Sequence, residues 1–312
     1  MEPKVPSEAL RVLLCGTGWI EVVSFVARAL AEAGVEAEVS VRDPTRPLAP
    51  QLGDTEVALP SNARFGAAEI EAAPRLRLIQ QPAVGYENID LAAARARNLP
   101  VCNTPGSNTD AVAQAALLLI LALARRVPEA RRRFAEARIG GPVGRELTRR
   151  RLGIIGMGKT GARLADAARA LGMEVEGVRS DAGRAALLAM LGRADVVSIH
   201  CPLTAATRGM IDDEALGAMR EGALLVNVAR GAIVDRDALV RALAAGRLGG
   251  VGLDVFWEEP WDPRDPLFGR EDVLALPHVA GSTEEAFTRT AAVIARNVRA
   301  MLRGEPLEHR VD

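Results

Sequence analysis

The chain has 312 residues, a formal net charge of -1, 49% hydrophobic residues and 25% charged residues. A single core stops growing near ~250–300 residues, so this length points to about two globular domains. The near-neutral balance leaves no electrostatic footprint for nucleic acid, and the Arg-rich runs at 131–133 and 149–151 have acidic neighbours and read as solvated faces.

The three cysteines, Cys15, Cys102 and Cys201, are scattered and form no CxxC pair. That argues against a disulfide framework or a metal site and fits a reducing cytosol. Cys201 follows His200 directly, and a small buried residue at a strand end is a better reading than a thiol nucleophile. The apolar run at 12–15 is too short for a signal peptide, and the longest apolar stretch, 111–124, falls short of the ~20 residues of a membrane span. The expectation is a cytoplasmic protein with no membrane partner.

Along the chain, residues 11–15 read as a strand, 21–33 as a helix ending at Gly34, and 36–41 and 76–80 as further strands. Such alternation implies a parallel sheet covered on both faces. The turn Asn103-Thr104-Pro105-Gly106 breaks the pattern, and Asn108 or Asp110 can cap the apolar helix that follows. A second series then offers strands at 152–155, 174–178, 196–200, 224–228, 250–255 and 273–276. The last helix, 284–302, comes after this set is complete and is expected to pack back on the first domain.

Gly156-Met157-Gly158-Lys159-Thr160-Gly161 is a GxGxxG placed between the strand 152–155 and a helix read as 162–170. In that setting the first glycine permits a tight turn, the second lets backbone approach a pyrophosphate, and the third allows close helix–strand packing. The helix N-terminus supplies N–H groups to the phosphates. The end of the following strand chooses the cofactor, and it reads Arg179-Ser180-Asp181. Arg179 stands where an acid would bond the ribose of NAD and favours NADP; Asp181 taking the ribose keeps NAD open.

Four more segments close strands of the second series. They are His200-Cys201-Pro202-Leu203-Thr204, Asn227-Val228-Ala229-Arg230-Gly231, Leu253-Asp254-Val255-Phe256-Trp257-Glu258-Glu259-Pro260 and Pro277-His278-Val279-Ala280-Gly281-Ser282. Ligands of open α/β sheets bind outside the carboxyl ends of strands, so these loops should converge on one site. His278 is one of only three histidines, which favours a chemical role over an incidental one.

With these five signatures in order, and with Val84-Gly85-Tyr86-Glu87-Asn88-Ile89-Asp90 before them, nearly the whole chain resembles the D-isomer-specific 2-hydroxyacid dehydrogenases. The resemblance implies an α/β fold of two Rossmann-like domains with parallel sheets. The cofactor domain (103–283) is inserted into a flavodoxin-like substrate domain (1–102 and 284–312). It implies a homodimer held largely by the cofactor domain and a small 2-keto or 2-hydroxy acid as substrate, such as glyoxylate or hydroxypyruvate.

By the same resemblance Arg230 binds the substrate carboxylate and keto oxygen, His278 is the acid–base, and Glu259 is its carboxylate partner. The chemistry asks for these types. Arg offers a permanently charged planar fork, His titrates near neutrality, and a neighbouring carboxylate favours the protonated imidazole and fixes its tautomer. Val84 and Gly85 match the segment whose backbone N–H groups hold the carboxylate. Asp254 matches a contact to the nicotinamide carboxamide. Thr104, Ser180, His200, Pro202, Ala229 and Gly281 lie in segments that line the cofactor, beside Gly156, Gly158, Lys159, Thr160, Gly161 and Arg179.

Two departures stand out. The family's early Glu-His of the crossing helix is replaced by Gln114-Ala115, and the stretch from 178 to 194 is too short for another strand, which would open the adenine pocket. A phosphite dehydrogenase or a dinucleotide-sensing regulatory protein shares the fold. Glu259 argues against a formate dehydrogenase, which carries Gln there.

Overall fold

The computed structural model describes residues 9–179 and 181–312. It divides into two compact units, Met1–Asn108 with Ser282–Asp312, and Thr109–Gly281. In chain order the first unit contains β1 (Leu10–Leu14), α1 (Val22–Glu32), β2 (Ala37–Val41), β3 (Val57–Leu59), α2 (Ala67–Glu71), β4 (Leu78–Gln80), α3 (Leu91–Ala96) and β5 (Val101–Cys102). The second unit follows with α4 (Thr109–Ala124), α5 (Val127–Ala135), β6 (Arg151–Ile155), α6 (Lys159–Ala170), β7 (Glu174–Val178), α7 (Arg184–Leu191) and β8 (Val196–Ile199). It continues through α8 (Asp213–Ala218), β9 (Ala223–Asn227), α9 (Arg236–Ala244), β10 (Leu248–Leu253) and β11 (Val273–Ala275), and the chain returns to the first unit as α10 (Glu284–Arg303).

The first unit is a five-stranded parallel sheet of order β2-β1-β3-β4-β5. Val12, Leu14, Leu59 and Leu78 pack with α1 and with Ile294 and Val298 of α10, so the last helix completes this core. A buried amide fixes it there. Asn297 Nδ2 donates to Gln80 Oε1 (2.8 Å) and to the Glu308 carbonyl (3.0 Å), and its Oδ1 accepts from Glu308 N (2.7 Å).

The second unit is a six-stranded parallel sheet of order β11-β10-β9-β8-β6-β7. β8 and β9 are buried at every position, as parallel strands covered on both faces must be. Apolar clusters lie on both faces, one gathering α4 and α6 and the other α7, α8 and α9. No single helix among the described residues is long and apolar enough to cross a membrane.

The structure corrects the sequence reading at several points. β3 and β5, three and two residues long, carry too little pattern to be read. α6 begins at Lys159, not 162, because Gly158 stands at its N-cap with extended backbone and Lys159, Thr160 and Gly161 form its first turn. As the sequence reading expected, the stretch between β7 and β8 holds α7 and, among the described residues, no strand, so β7 is the sheet edge. The junctions fall at 108/109 and 281/282 instead of 102/103 and 283/284. The first moves because Asn103 Nδ2 and Thr104 N bond the carbonyls of Val84 (2.8 Å) and Ala83 (3.1 Å), which ties Thr104 into the first unit.

Asn297→Ala should lower unfolding stability by about 2 kcal/mol or more, since it strands the buried partners at Gln80 and Glu308. Urea unfolding of the two proteins measures it.

Candidate active site

β6 is flanked by β7, the next strand in the chain, on one side and by β8 on the other. This reversal is the switch point at which doubly wound sheets bind ligands. The glycine loop at its mouth shows three separate constraints. Gly156 has φ +97°, and a Cβ there would lie 2.6 Å from Cys201 N. At Gly161 a Cβ would lie 2.2 Å from the Gly156 carbonyl and 3.1 Å from Ile154 Cγ2. Gly158, by contrast, faces open space. Two glycines are demanded by packing and the middle one leaves room, which fits a pyrophosphate laid against the first turn of α6.

At the end of β7, Arg179 grips Asp181 through both nitrogens, Nε to Oδ1 and Nη2 to Oδ2, each 3.0 Å. Both side chains are exposed. Ser180 lies outside the described residues. On the other side of β6, the His200 amide bonds the Ile155 carbonyl (2.7 Å), and Thr207 Oγ1 donates to the Pro202 carbonyl (2.7 Å), which sets the loop after β8. Cys201 is buried and burial pushes its thiol up to about 11, so it is packing and not a nucleophile. Burial lowers His200 to about 4, and its Nε2 pairs with Ser198 Oγ at 2.8 Å.

The remaining loops are assembled by backbone and amide contacts. Asn227 is fully buried at the end of β9; its Oδ1 accepts from Ala229 N (3.0 Å) and its Nδ2 donates to the Arg230 carbonyl (2.9 Å). The Arg230 Nη1 bonds the Ala229 carbonyl at 2.8 Å. Gly231 then runs so close to the next loop that a Cβ would sit 2.1 Å from the Phe256 carbonyl carbon. Trp257 Nε1 donates to the Val234 carbonyl (2.6 Å), and Phe256 N donates to Glu259 Oε1 (3.0 Å). These contacts bring the Arg230 loop and the Glu259 loop together.

Glu259 Oε2 lies 2.7 Å from His278 Nδ1. Burial raises the Glu259 carboxyl, but the His278 hydrogen bond, the His278 charge, the Phe256 amide and Arg230 outweigh it and hold the acid below its ordinary value. Asp254 is 1% exposed, and burial raises it to about 6 against the pull of its backbone donors, Ala280 and Val279. Gly281 follows that turn and closes the second unit.

The trio Arg230, Glu259 and His278 therefore sits on the carboxyl edge of one sheet, with Asp254 and Ala229. Val84 and Gly85 belong to the other unit, where the carbonyls of Ala83, Val84 and Gly85 are each tied back, by Thr104 N, Asn103 Nδ2 and Gln81 Nε2. The sequence reading named Asn227 and Gly231 only as members of their segment and gave no role to these two residues, which shape the Arg230 loop. Their signal was a polar residue ending an apolar strand and a glycine just after the arginine.

The model of the D-isomer specific 2-hydroxyacid dehydrogenase NAD binding domain matches residues 117–280. A glyoxylate reductase of Korarchaeum cryptofilum is 42% identical over 255 residues, covering 77% of this chain and 77% of that protein. A D-3-phosphoglycerate dehydrogenase of Archaeoglobus fulgidus is 34% identical over 292 residues, 89% of this chain and 55% of that protein. The structure of D-lactate dehydrogenase from Aquifex aeolicus complexed with NAD and lactic acid is similar with a TM-score of 0.79 at 27% identity, covering 95% of this chain and 96% of that one. The chain belongs to the D-isomer-specific 2-hydroxyacid dehydrogenases. It is a nicotinamide-dependent oxidoreductase acting on CH–OH groups, in the direction of reduction a keto acid reductase.

The depressed His200 carries a linkage consequence. An unfolded chain binds a proton near pH 6.5 that the folded chain refuses until about 4, so this group makes stability fall as pH drops through that window. Its slope is at most about 1.4 kcal/mol per pH unit. His200→Gln should flatten the decline in unfolding stability between pH 6.5 and 4, read from urea midpoints across that range.

Proposed function

We propose that this chain reduces a small 2-keto acid of the glyoxylate or hydroxypyruvate type to the D-hydroxy acid. The observation that carries the mechanism is the 2.7 Å pair between His278 and Glu259 on the sheet edge that also holds Arg230. Arg230 anchors the carboxylate and polarises the keto oxygen, since its fork matches planar oxygens and keeps its charge. His278 donates its Nε2 proton to the oxygen as alkoxide character develops. Glu259, held ionised, keeps the Nδ1–H of His278 bonded and stabilises the imidazolium. The N–H groups of Val84 and Gly85, whose loop carbonyls are all engaged elsewhere, hold the carboxylate. The reduced nicotinamide, when bound, supplies the hydride. His278→Ala should abolish turnover of glyoxylate and hydroxypyruvate while the dissociation constant of the reduced cofactor stays within a few-fold; undiminished turnover would refute the assignment.

The cofactor we assign is NADP, with NAD as the weaker partner. Thr104, Gly156, Gly158, Lys159, Thr160, Gly161, His200, Pro202, Ala229 and Gly281 line it, and Arg179 takes the 2′-phosphate. Its present partner is an exposed carboxylate two residues away, a kind of pair that holds weakly against a dianion. The ratio of kcat/KM for NADPH to that for NADH should exceed one and should fall in Arg179→Ala. A strong NADH preference in the parent chain overturns this.

We further propose a cytosolic homodimer. Its three cysteines are buried and unpaired. On the second unit Phe134 and Val143 are each 87% exposed and Ile139 wholly so. Projecting apolar side chains of this kind suit a contact between two copies of the chain. Sedimentation should give a dimer, and Phe134→Glu with Ile139→Glu should give a monomer.

A further inference from the structure

The cations of this chain are unevenly divided by type. Of its 39 Lys and Arg residues only two are lysines, Lys4 and Lys159, and Lys4 lies outside the described residues. Arginines carry the ion pairs, as at Arg163–Asp110 (2.6 Å), one turn further along α6. Lys159 stands apart from them. It is the first residue of α6, it is exposed, and among the described residues it has no ion-pair partner. The space beside it is clear. A Cβ on Gly158 would meet no atom within 4 Å, no side chain caps the helix, and the first turn carries no acid. The N–H groups of that turn are left for an anion, and the matched family domain, which binds NAD, brings a pyrophosphate to such a turn.

An arginine at 159 would serve a phosphate at least as well, because its fork matches oxygens in pairs. What a lysine adds is a primary amine, which can attack a carbonyl carbon as a guanidinium cannot. An amine beside an anion-binding turn suits one class of molecule, a small aldehyde that also carries a carboxylate. We propose that Lys159 is a modification site for such an anionic aldehyde, glyoxylate being the simplest, and that the adduct closes the cofactor cradle. The carboxylate takes the place of a phosphate at the first turn of α6. The Nζ lone pair adds to the aldehyde carbon, the nitrogen gives up its protons to the former carbonyl oxygen, and that oxygen leaves as water. A carbon–nitrogen double bond remains. No electrons change hands, and hydrolysis restores the amine. Adduct and cofactor exclude each other, so glyoxylate in excess inhibits its own reduction by competing with the cofactor. Hydroxypyruvate, a ketone, condenses less readily and inhibits less. The inhibition rests on glyoxylate being a substrate; the adduct does not.

Trapping tests the adduct directly. Cyanoborohydride reduces the imine formed with glyoxylate to a stable carboxymethyl amine, which peptide mapping by mass spectrometry locates. Label at Lys159 should form about two- to five-fold faster in the folded protein than in urea, the worth of an anion at a helix N-terminus. NADP+ at about ten times its dissociation constant should slow it about ten-fold, because only that fraction of sites stays empty. Acetaldehyde, which has no carboxylate, should show no preference for the folded protein. Labelling no faster than in urea, labelling that NADP+ leaves unchanged, or an equal preference with acetaldehyde each makes Lys159 an ordinary surface amine and overturns the proposal. In steady-state assays the inhibition constant of excess glyoxylate should rise in proportion to NADPH, and Lys159→Arg, whose own affinity for NADPH is measured alongside, should lose that inhibition. Inhibition that is independent of NADPH or persists in Lys159→Arg overturns the regulatory role. If the parent chain does not turn over glyoxylate, the substrate reading fails, and the labelling still decides the adduct.

Discussion

The hydrogen bond between His278 Nδ1 and Glu259 Oε2 is short, 2.7 Å, and joins two loops that no sequence proximity brings together. It exists only because β10 and β11 are parallel neighbours, which puts the ends of both strands on the same edge of the sheet. The same constraint aligns β9 beside β10 and so places Arg230 on that edge. What the sheet does coarsely, a few contacts finish. Gly231 lets the Arg230 loop touch the backbone of the Glu259 loop, and Asn227 fixes the carbonyl and amide on either side of the arginine. The chemistry is therefore held by secondary structure first and by backbone hydrogen bonds second, with little left to flexible side chains.

The site carries local costs that the core around it offsets. Asp254 is an almost wholly buried acid, His200 is a buried imidazole kept neutral, and His278 holds a left-handed backbone. Each is unfavourable alone. Around them β8, β9 and most of β10 are buried along their length, and α4 and α6 cover one face while α7, α8 and α9 cover the other. Unfavourable groups concentrated at a strand edge, above a continuous apolar core, are what a reaction centre built for charge movement requires.

Much of this was legible in the residues because the informative signals are local. The spacing of Gly156, Gly158 and Gly161 specifies a turn, an open approach and a close packing contact, and the structure shows one glycine for each. The polar residues that end apolar runs, Arg230, Asp254 and His278, mark strand ends whatever the tertiary arrangement. What was not legible depends on distance along the chain. β3 and β5 are too short to show a period and exist because neighbouring strands pair with them. Asn103 looked like the start of the second domain, and the bonds of Asn103 to Val84 and His309 and of Thr104 to Ala83 place this turn in the first. The start of α6 was misplaced because glycines read as loop, while a helix N-terminus tolerates them where N–H groups must stay free.

The edge position of β7 bears on how the dinucleotide tail is held. Along β7 the charges are paired, Glu174 with its register partner Arg151 on β6 and Glu176 with Arg193. Neither pair supplies an apolar wall for a base. Gly177, midway along β7, is instead covered by Met157 of the phosphate loop, whose side chain would lie 2.3 Å from a Cβ placed there. The glycine loop thus also packs on the edge strand, so a larger residue at 177 would displace Met157 and disturb that loop. What the described residues present at this end is ionic and backbone groups, Arg179, Asp181 and the first turn of α6, and a helix N-terminus of this kind suits an anion.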